Sequence, residues 1–146
     1  MLNGSSFIEN IGDKGVRTLR DAENYIITVP QASYEKYGFG LWMMELRDTN
    51  APVGMCGLIK RDYLDDVDVG YAILTEHCSK GYATEAVEGV VKYAIDNMSL
   101  KRFAAIVNPD NTKSIKVLEK TGFVYESPIQ IPGEEIEIQL YIYMTV

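Results

Sequence analysis

One stretch of the sequence restricts the fold more than any other: a strand-like segment, a short polar loop and an amphipathic segment over residues 69–86. Residues 69–74 have the composition of a β-strand, and apolar residues at helical spacing begin at Ala83. The loop between them contains Lys80 and Gly81. A helix that starts after such a loop directs its unpaired backbone N–H groups, and the positive end of its dipole, at one point. The stretch therefore predicts a seat for an anion such as a phosphate.

Length and composition favour one globular domain. The chain has 146 residues, of which 47% are hydrophobic and 24% are charged, and these proportions are ordinary for a soluble protein. No apolar run reaches the roughly 18 residues of a membrane span, and the N-terminus does not resemble a secretory signal. The two cysteines, Cys56 and Cys78, and the single histidine lack the spacing of a zinc site. We therefore expect a single domain over residues 1–146, in the reducing cytoplasm and without a metal.

The charge restricts the partners. The net charge of −7 argues against nucleic acid, because proteins that bind nucleic acid usually present a basic face. It is compatible with a cationic partner, and equally with nothing more than a solvated surface.

The spacing of apolar residues predicts the element order α, ββ, βαβ, α, ββ, whereas residues 1–17 show little pattern. We expect helices at 19–29, 31–37 (opened by Pro30), 81–98 and 112–120, and strands at 39–47, 53–61, 67–74, 100–108, 123–126 and 136–146. Thr18 and Asp21 resemble a capping box at the start of the first of these helices. Residues 128–134 are expected to form a loop. Gly54 and Gly57 predict a bulge or a close backbone approach within the second strand. The strand at 100–108 is apolar on both faces, as in a buried strand with a parallel neighbour.

Four motifs, in this order and spacing, resemble the GNAT superfamily of acyl-CoA-dependent N-acetyltransferases. They lie at Val69–Leu74, Lys80–Ala86, Asn108–Ser114 and Leu118–Phe123. The similarity extends over residues 39–125 and is greatest to the branch that contains the ribosomal-protein N-terminal acetyltransferases.

This resemblance implies an α/β (α+β) fold with a mixed, mostly antiparallel, twisted sheet of about six strands. A central βαβ unit and helices on both faces of the sheet belong to the same expectation. The implied reaction is direct transfer of an acetyl group from acetyl-CoA to a primary amine, without a metal or a covalent enzyme intermediate.

The resemblance also implies where acetyl-CoA binds. Backbone N–H groups of the loop and the helix start would hold its pyrophosphate. These residues are Cys78, Ser79, Lys80, Gly81, Tyr82, Ala83 and Thr84. The pantetheine arm would pair with the backbone of Ala72, Ile73 and Leu74, where the strand at 67–74 separates from its neighbour. Asn108 and Asn111 match family positions that contact this arm, although a turn former and a helix N-cap explain them equally well.

Less is implied about catalysis. Many family members have a tyrosine in the last helix that protonates the leaving thiolate, and Leu118 stands at that position here. Ser114 matches a serine suggested for this role in the ribosomal branch and would hydrogen-bond the developing thiolate, or it is an ordinary helix serine. Asp68, where the branch often has glutamate, is the first candidate for the base that deprotonates the acceptor ammonium through a water. His77 is the second candidate. Asp66 points the same way along the strand as Asp68, one pair further off. The alternative for Asp68 is an ordinary solvated carboxylate.

The sequence does not determine the acceptor substrate or the oligomeric state. A protein N-terminus competes with a small cationic amine as the acceptor, and Tyr34, Tyr37, Phe39 and Trp42 either line its pocket or pack in the core. Family members normally begin with a strand and a helix ahead of residue 7, and their absence here would expose the first strand edge. We therefore expect a homodimer or a strand exchange at that edge. The same absence, together with the missing tyrosine, makes a non-catalytic acyl-CoA-binding or sensing module the alternative.

Overall fold

The computed structural model describes residues 1–146 and confirms the predicted mixed sheet. The α-helices are α1 (Ser5–Asn10), α2 (Leu19–Ile26), α3 (Ala32–Tyr37), α4 (Tyr82–Met98) and α5 (Thr112–Lys120). The strands are β1 (Leu41–Glu45), β2 (Pro52–Ile59), β3 (Val67–Ile73), β4 (Arg102–Val107), β5 (Val124–Gln130) and β6 (Glu137–Met144). None of the helices has both the length and the apolar character that crossing a membrane requires.

The sheet has the order β1-β2-β3-β4-β6-β5, and it divides at its centre. All neighbouring strands are antiparallel except β3 and β4, which are the parallel strands of the predicted βαβ unit. These two strands pair only at Val67 with Phe103 and at Asp68 with Ala104. Because the pairing ends there, the carboxyl-terminal parts of β3 and β4 separate and leave a cleft in the sheet.

The main core lies between the sheet and the two long helices, α4 and α5. The predicted apolar face of α4 is confirmed, since Val87, Val91 and Ala94 are buried there. Strand β4 contributes Phe103 to this core, whereas Ala104 packs in a smaller cluster with Leu64 and Ile142. Successive side chains of a strand point to opposite faces, so β4 is covered on both sides, as its sequence predicted.

The N-terminal region differs from the prediction. Helix α1 forms within residues 1–17, where the pattern indicated no element. The expected helix over 19–29 ends as an α-helix at Ile26, and a π-helical turn over Ile27–Gln31 joins α2 to α3. Pro30 lies inside that turn instead of opening a separate helix. Proline lacks an N–H and its ring crowds the carbonyl four residues earlier, so a wider turn accommodates it within continuous helical backbone.

The second correction concerns β5, which continues to Gln130 instead of ending at residue 126. The expected loop over 128–134 is shortened accordingly, because Pro128 pairs with Gln139 and Ile129 with Ile138. A proline is tolerated here because β5 is an edge strand, which needs backbone donors on one side only.

The local signals of the sequence are confirmed. Thr18 and Asp21 form both hydrogen bonds of a capping box at the start of α2. The Asn111 side chain accepts the Ser114 N–H at 3.2 Å and caps α5. A close backbone approach also occurs in β2, as predicted: a Cβ placed on Gly57 would lie 2.0 Å from the Gly40 carbonyl oxygen.

Candidate active site

A cavity of about 1900 Å³ follows the cleft between β3 and β4. Its walls include the end of β3, the loop before α4, the end of β4 and the start of α5. All the residues that the sequence predicted for acetyl-CoA lie on these walls, apart from Lys80, which is exposed at the loop tip. The structure therefore brings together segments that are separated by up to about 40 residues in the chain.

The loop before α4 ends in a helix start with free N–H groups. A short 3-10 turn over Thr75–His77 leads into it, and Gly81 is the N-cap of α4 with φ of +84°. Glu85 donates its backbone N–H to the Gly81 carbonyl at 3.1 Å, which is the first hydrogen bond of the helix. The preceding N–H groups have no acceptor within the helix, and the helix dipole adds positive potential beside them. The helix start that the sequence predicted is present, and its use as an anion seat stays a prediction.

The side chains of this loop leave the seat open. A Cβ on Gly81 would meet no other atom within 4 Å. Ser79 adopts a left-handed φ of +61°, a conformation that glycine ordinarily supplies. The Cys78 thiol lies at the rim and donates to the Leu74 carbonyl at 3.5 Å. His77 has a buried Nδ1 without a hydrogen-bond partner, so its ring is packed rather than bonded within the loop.

The end of β3 offers a backbone edge to the cleft. Leu74 donates its N–H to Val53 of β2 at 2.8 Å, and the Ala72 carbonyl lies against Gly54 of β2. Because backbone groups of successive residues in a strand point in opposite directions, the groups of Ile73 are directed away from β2 and toward the cleft. Of the three residues predicted to pair with pantetheine, Ile73 thus presents both its N–H and its C=O.

The two predicted asparagines lie on the opposite wall and have local structural roles. The Asn108 side chain accepts the Asp110 N–H at 3.0 Å in the turn after β4. Asn111 caps α5, as described above. Both residues line the cavity, so the structural role and the proposed ligand role are compatible.

Asp68 is the most buried ionisable group, with 1% of its surface exposed. Arg61 donates from Nε to its Oδ2 at 2.6 Å, and its Oδ1 is buried without a partner. Burial raises the pKa of the Asp68 carboxyl to about 6, although Arg61 and, less strongly, the backbone of Ile106 act in the opposite direction. Asp68 therefore titrates just below neutral pH at the point where β3 and β4 begin to separate. The sequence did not indicate Arg61 as its partner.

Asp66 and His77, the second candidate base, have different surroundings. Asp66 accepts a hydrogen bond from Arg102 at 2.8 Å and does not line the cavity. His77 lies beyond the carboxyl end of β3, next to the helix start and not beside Asp68.

Ser114 has a partner that sequence reasoning missed. Its Oγ lies 2.6 Å from the Oη of Tyr71, which comes from β3. Leu118, one turn later on α5, is 2% exposed and packs in the main core. Burial raises the pKa of the Tyr71 phenol, so it is protonated at neutral pH. The two hydroxyls come from residues 43 positions apart, and no local signal in the sequence connects them.

Two of the four aromatic residues near the first strand belong to the core. Phe39 is buried in it, and Trp42 packs against it with its ring stacked 6.4 Å from Tyr34 and at an angle to Tyr93. Core packing is thus confirmed for Trp42. Tyr37 is partly exposed and lines the cavity, which leaves it available for an acceptor pocket.

The comparison with known sequences identifies the family. The family described as Acetyltransferase (GNAT) domain matches residues 6–124. YoaA of Bacillus subtilis, an uncharacterized N-acetyltransferase, is 31% identical over 120 residues, which cover 82% of this chain and 67% of YoaA. The chain spans only part of the curated relatives that it matches, 59% in the case of another Bacillus subtilis protein.

Solved structures show the same fold. The spermidine N-acetyltransferase of Vibrio cholerae, solved with CoA and spermine, superimposes with a TM-score of 0.78 at 17% identity, over 98% of this chain and 85% of that one. The ribosomal-protein-S5-alanine acetyltransferase of Vibrio fischeri has a TM-score of 0.70 at 22% identity, over 87% of this chain and 72% of that one. The divided sheet, the loop before α4 and the sequence match lead to one conclusion: this chain belongs to the GNAT acetyltransferase family.

Proposed function

We propose that this chain transfers the acetyl group of acetyl-CoA directly to a primary amine. The main support is the cleft in which the free helix start of α4, the open backbone edge of β3 and a buried carboxylate line a single cavity. Bound acetyl-CoA would supply the activated acyl group and a thiol leaving group. The reaction needs no metal. We place it in the reducing cytoplasm, in keeping with the two free thiols of Cys56 and Cys78.

In this proposal the N–H groups of residues 78–84 hold the pyrophosphate, with Lys80 adding charge at the rim. The open space beside Gly81 fits a bulky anion, and the backbone donors fit phosphate oxygens. Ile73, between Ala72 and Leu74, offers its backbone to the pantetheine arm, and Asn108 and Asn111 face it from the other wall. Each group has the donor or acceptor that its proposed partner requires.

Asp68 is the proposed general base. Its Oδ2 is held by Arg61, whereas its buried Oδ1 has no hydrogen-bond partner and would accept one from a relaying water that enters with the substrates. An acceptor amine with a pKa of about 10 reaches the site mainly as an ammonium ion and must lose a proton before it attacks. With a pKa of about 6, the Asp68 carboxyl is ionised at neutral pH and is basic enough to take that proton. Ser114 is the proposed donor to the leaving sulfur.

We expect Asp68→Asn to lower kcat/KM at neutral pH by on the order of 100-fold, the usual contribution of a positioned base. Burial raises the pKa of this carboxyl, so the base is ionised above about pH 6 and protonated below it. Wild-type activity should therefore fall as the pH drops through 6. This acid limb should be missing in Asp68→Asn. Rates of thiol release between about pH 5 and 8 provide the measurement.

Asp66→Asn is the matched control, because Asp66 lies two residues earlier, pairs with Arg102 and is outside the cavity. It should retain the acid limb. Circular dichroism should accompany both variants, since Asp68→Asn leaves the half-buried Arg61 without its partner. A folded Asp68→Asn protein with an unchanged acid limb would exclude Asp68 as the base.

For the acceptor we propose a protein N-terminus or a small cationic amine. The net charge of −7 suits either one, and the two solved neighbours are named for one of each kind. The test is a thiol-release assay with acetyl-CoA over a panel of spermidine, spermine and peptides that begin with alanine or serine. CoA binding is measured in parallel by calorimetry. Turnover of any amine supports an enzyme, and the preferred amine identifies the acceptor class.

The alternative is a non-catalytic module that binds or senses acyl-CoA. The observation that favours it is the buried Leu118 at the position where many family members have the acid tyrosine. Tight CoA binding without turnover of any amine would support this alternative. Absence of CoA binding would contradict both functions.

We further propose a homodimer, or an exchange of strands, at the outer edge of β1. This strand is the first in the sheet order, and Met43 on it is 65% exposed. An exposed apolar strand edge favours pairing with another chain. Light scattering of the wild-type protein should give the molar mass of a dimer. The Met43→Lys variant should contain a larger fraction of monomer. A wild-type chain that is monodisperse as a monomer would contradict the proposal.

A further inference from the structure

Tyr71 and Ser114 form a polar bridge across one wall of the cleft. Their hydroxyl oxygens are 2.6 Å apart, and both residues line the cavity. Tyr71 lies two residues before Ile73, whose backbone faces the cleft, and Ser114 lies in the first turn of α5 after the Asn111 cap. The bridge is therefore beside the proposed course of the pantetheine arm, at its inner end where the sheet closes.

The chemistry of the two hydroxyls indicates which one donates. A phenol is a stronger acid than an aliphatic alcohol, and it is the better hydrogen-bond donor of the two. Burial keeps the Tyr71 phenol protonated at neutral pH by raising its pKa. The Oγ of Ser114 has no other partner in the structure. If Tyr71 donates, the single proton of the Ser114 hydroxyl is free to turn into the cleft.

The last helix offers no other group for this task. Leu118, one turn after Ser114, is buried in the main core and has no polar atom on its side chain. A donor to a sulfur in the cleft must then come from the first turn of α5 or from β3. Ser114 alone would be free to rotate about its χ1 bond, whereas a hydrogen bond from β3 restricts it.

We infer that Tyr71 is a positioning residue: its O–H donates to the Oγ of Ser114 and holds the Ser114 O–H toward the CoA sulfur. This inference rests on the proposed function. The acceptor nitrogen forms the C–N bond while the C–S bond breaks, and the electron pair of the C–S bond stays on sulfur. Ser114 stabilises that charge by a hydrogen bond and keeps its own proton. The ammonium first loses one proton through a water to Asp68, and the nitrogen loses its second proton to solvent as the amide forms. A proton from solvent returns to sulfur, so no further reactant is needed.

The test measures the thiol pKa of bound CoA from the ultraviolet absorbance of its thiolate, which requires no acceptor. Wild-type protein should lower this pKa below that of free CoA. Tyr71→Phe should raise it by about one unit, a tenfold loss of thiolate at a given pH. Ser114→Ala should raise it at least as much, and the double variant should add nothing to Ser114→Ala. In turnover, kcat should fall while the KM for acetyl-CoA is unchanged.

Tyr141→Phe is the matched control, because Tyr141 is a buried core tyrosine outside the cavity. The thiol pKa of CoA bound to Tyr141→Phe should equal the value measured with the wild-type protein. CoA that binds Tyr71→Phe with the wild-type thiol pKa would overturn the inference and leave the proposed function standing. Ser114→Ala provides a second test if Tyr71→Phe does not fold. CoA bound to Ser114→Ala with the wild-type thiol pKa would also overturn the inference. A wild-type chain that binds no CoA would overturn the inference and the proposed function together.

Discussion

The Gly81→Glu variant should lose at least about 100-fold in affinity for CoA, which corresponds to roughly 2.7 kcal/mol. Gly81 lies at the start of α4, with open space where a side chain would begin. A glutamate there places a negative charge in front of the N–H groups proposed for the pyrophosphate. Two like charges about 4 Å apart near a protein surface repel by roughly 4 kcal/mol, enough to account for the loss. Isothermal titration of CoA into each variant measures it.

Gly133→Glu is the matched control for this variant. Gly133 also has φ of +84° and no atom within 4 Å of an added Cβ, but it lies in the turn between β5 and β6. The change therefore introduces the same backbone strain and the same charge outside the proposed seat, and CoA affinity should stay within about twofold. Gly81→Asn separates charge from strain, because asparagine tolerates a left-handed conformation, and it should bind CoA nearly as the wild type does. If Gly81→Glu bound CoA with wild-type affinity, the assignment of the pyrophosphate to this loop would be wrong.

Gly57→Ala should produce the largest loss of stability, about 3 kcal/mol in the free energy of unfolding. The added Cβ would lie 2.0 Å from the Gly40 carbonyl oxygen and 2.8 Å from the Leu41 Cα. Both are backbone atoms next to or within β1, and Leu41 is the register partner of Gly57. A side chain could rotate away, but this backbone can move only if β1 shifts away from β2. Urea unfolding followed by circular dichroism measures the change.

Gly89→Ala makes the same chemical change with the opposite expected sign. Gly89 lies inside α4, and an added Cβ there meets no atom within 4 Å. Alanine has a higher helix propensity than glycine, so this variant should gain about 0.5–1 kcal/mol in the free energy of unfolding. An unchanged urea midpoint for Gly57→Ala would show that β1 and β2 are not in such close contact.

Features that depend on residues close in the chain were predicted well. The capping box of Thr18 and Asp21, the Asn111 cap and the helix start after Gly81 all appear as expected. Each depends on hydrogen bonds between residues three or four positions apart, or on the conformation of one residue. The parallel neighbour of β4 was predicted because burial on both faces requires a continuous run of apolar residues.

Features that depend on partners distant in the chain were missed or misplaced. Strand β5 extends past Pro128 because β6 pairs with it, and a proline motif alone indicates a turn. The backbone stays helical through Pro30 by adopting a π turn, which composition does not reveal. Propensity describes the isolated segment, and tertiary packing decides between conformations of similar energy.

The amino-acid sequence by itself determined the order of the elements, the loop and helix start of residues 78–84, and the family. The tertiary structure decided where β3 and β4 separate, which side chains meet in that cleft, and how each one ionises. Folding raises the pKa of the Asp68 carboxyl to about 6 by removing it from water, and Arg61, which folding places against it, limits that rise. Tyr71 reaches Ser114 across 43 residues because α5 packs against the sheet. Burial determines the pKa of Asp68, and long-range packing determines the contact between Tyr71 and Ser114. Neither can be read from the position of a residue along the chain.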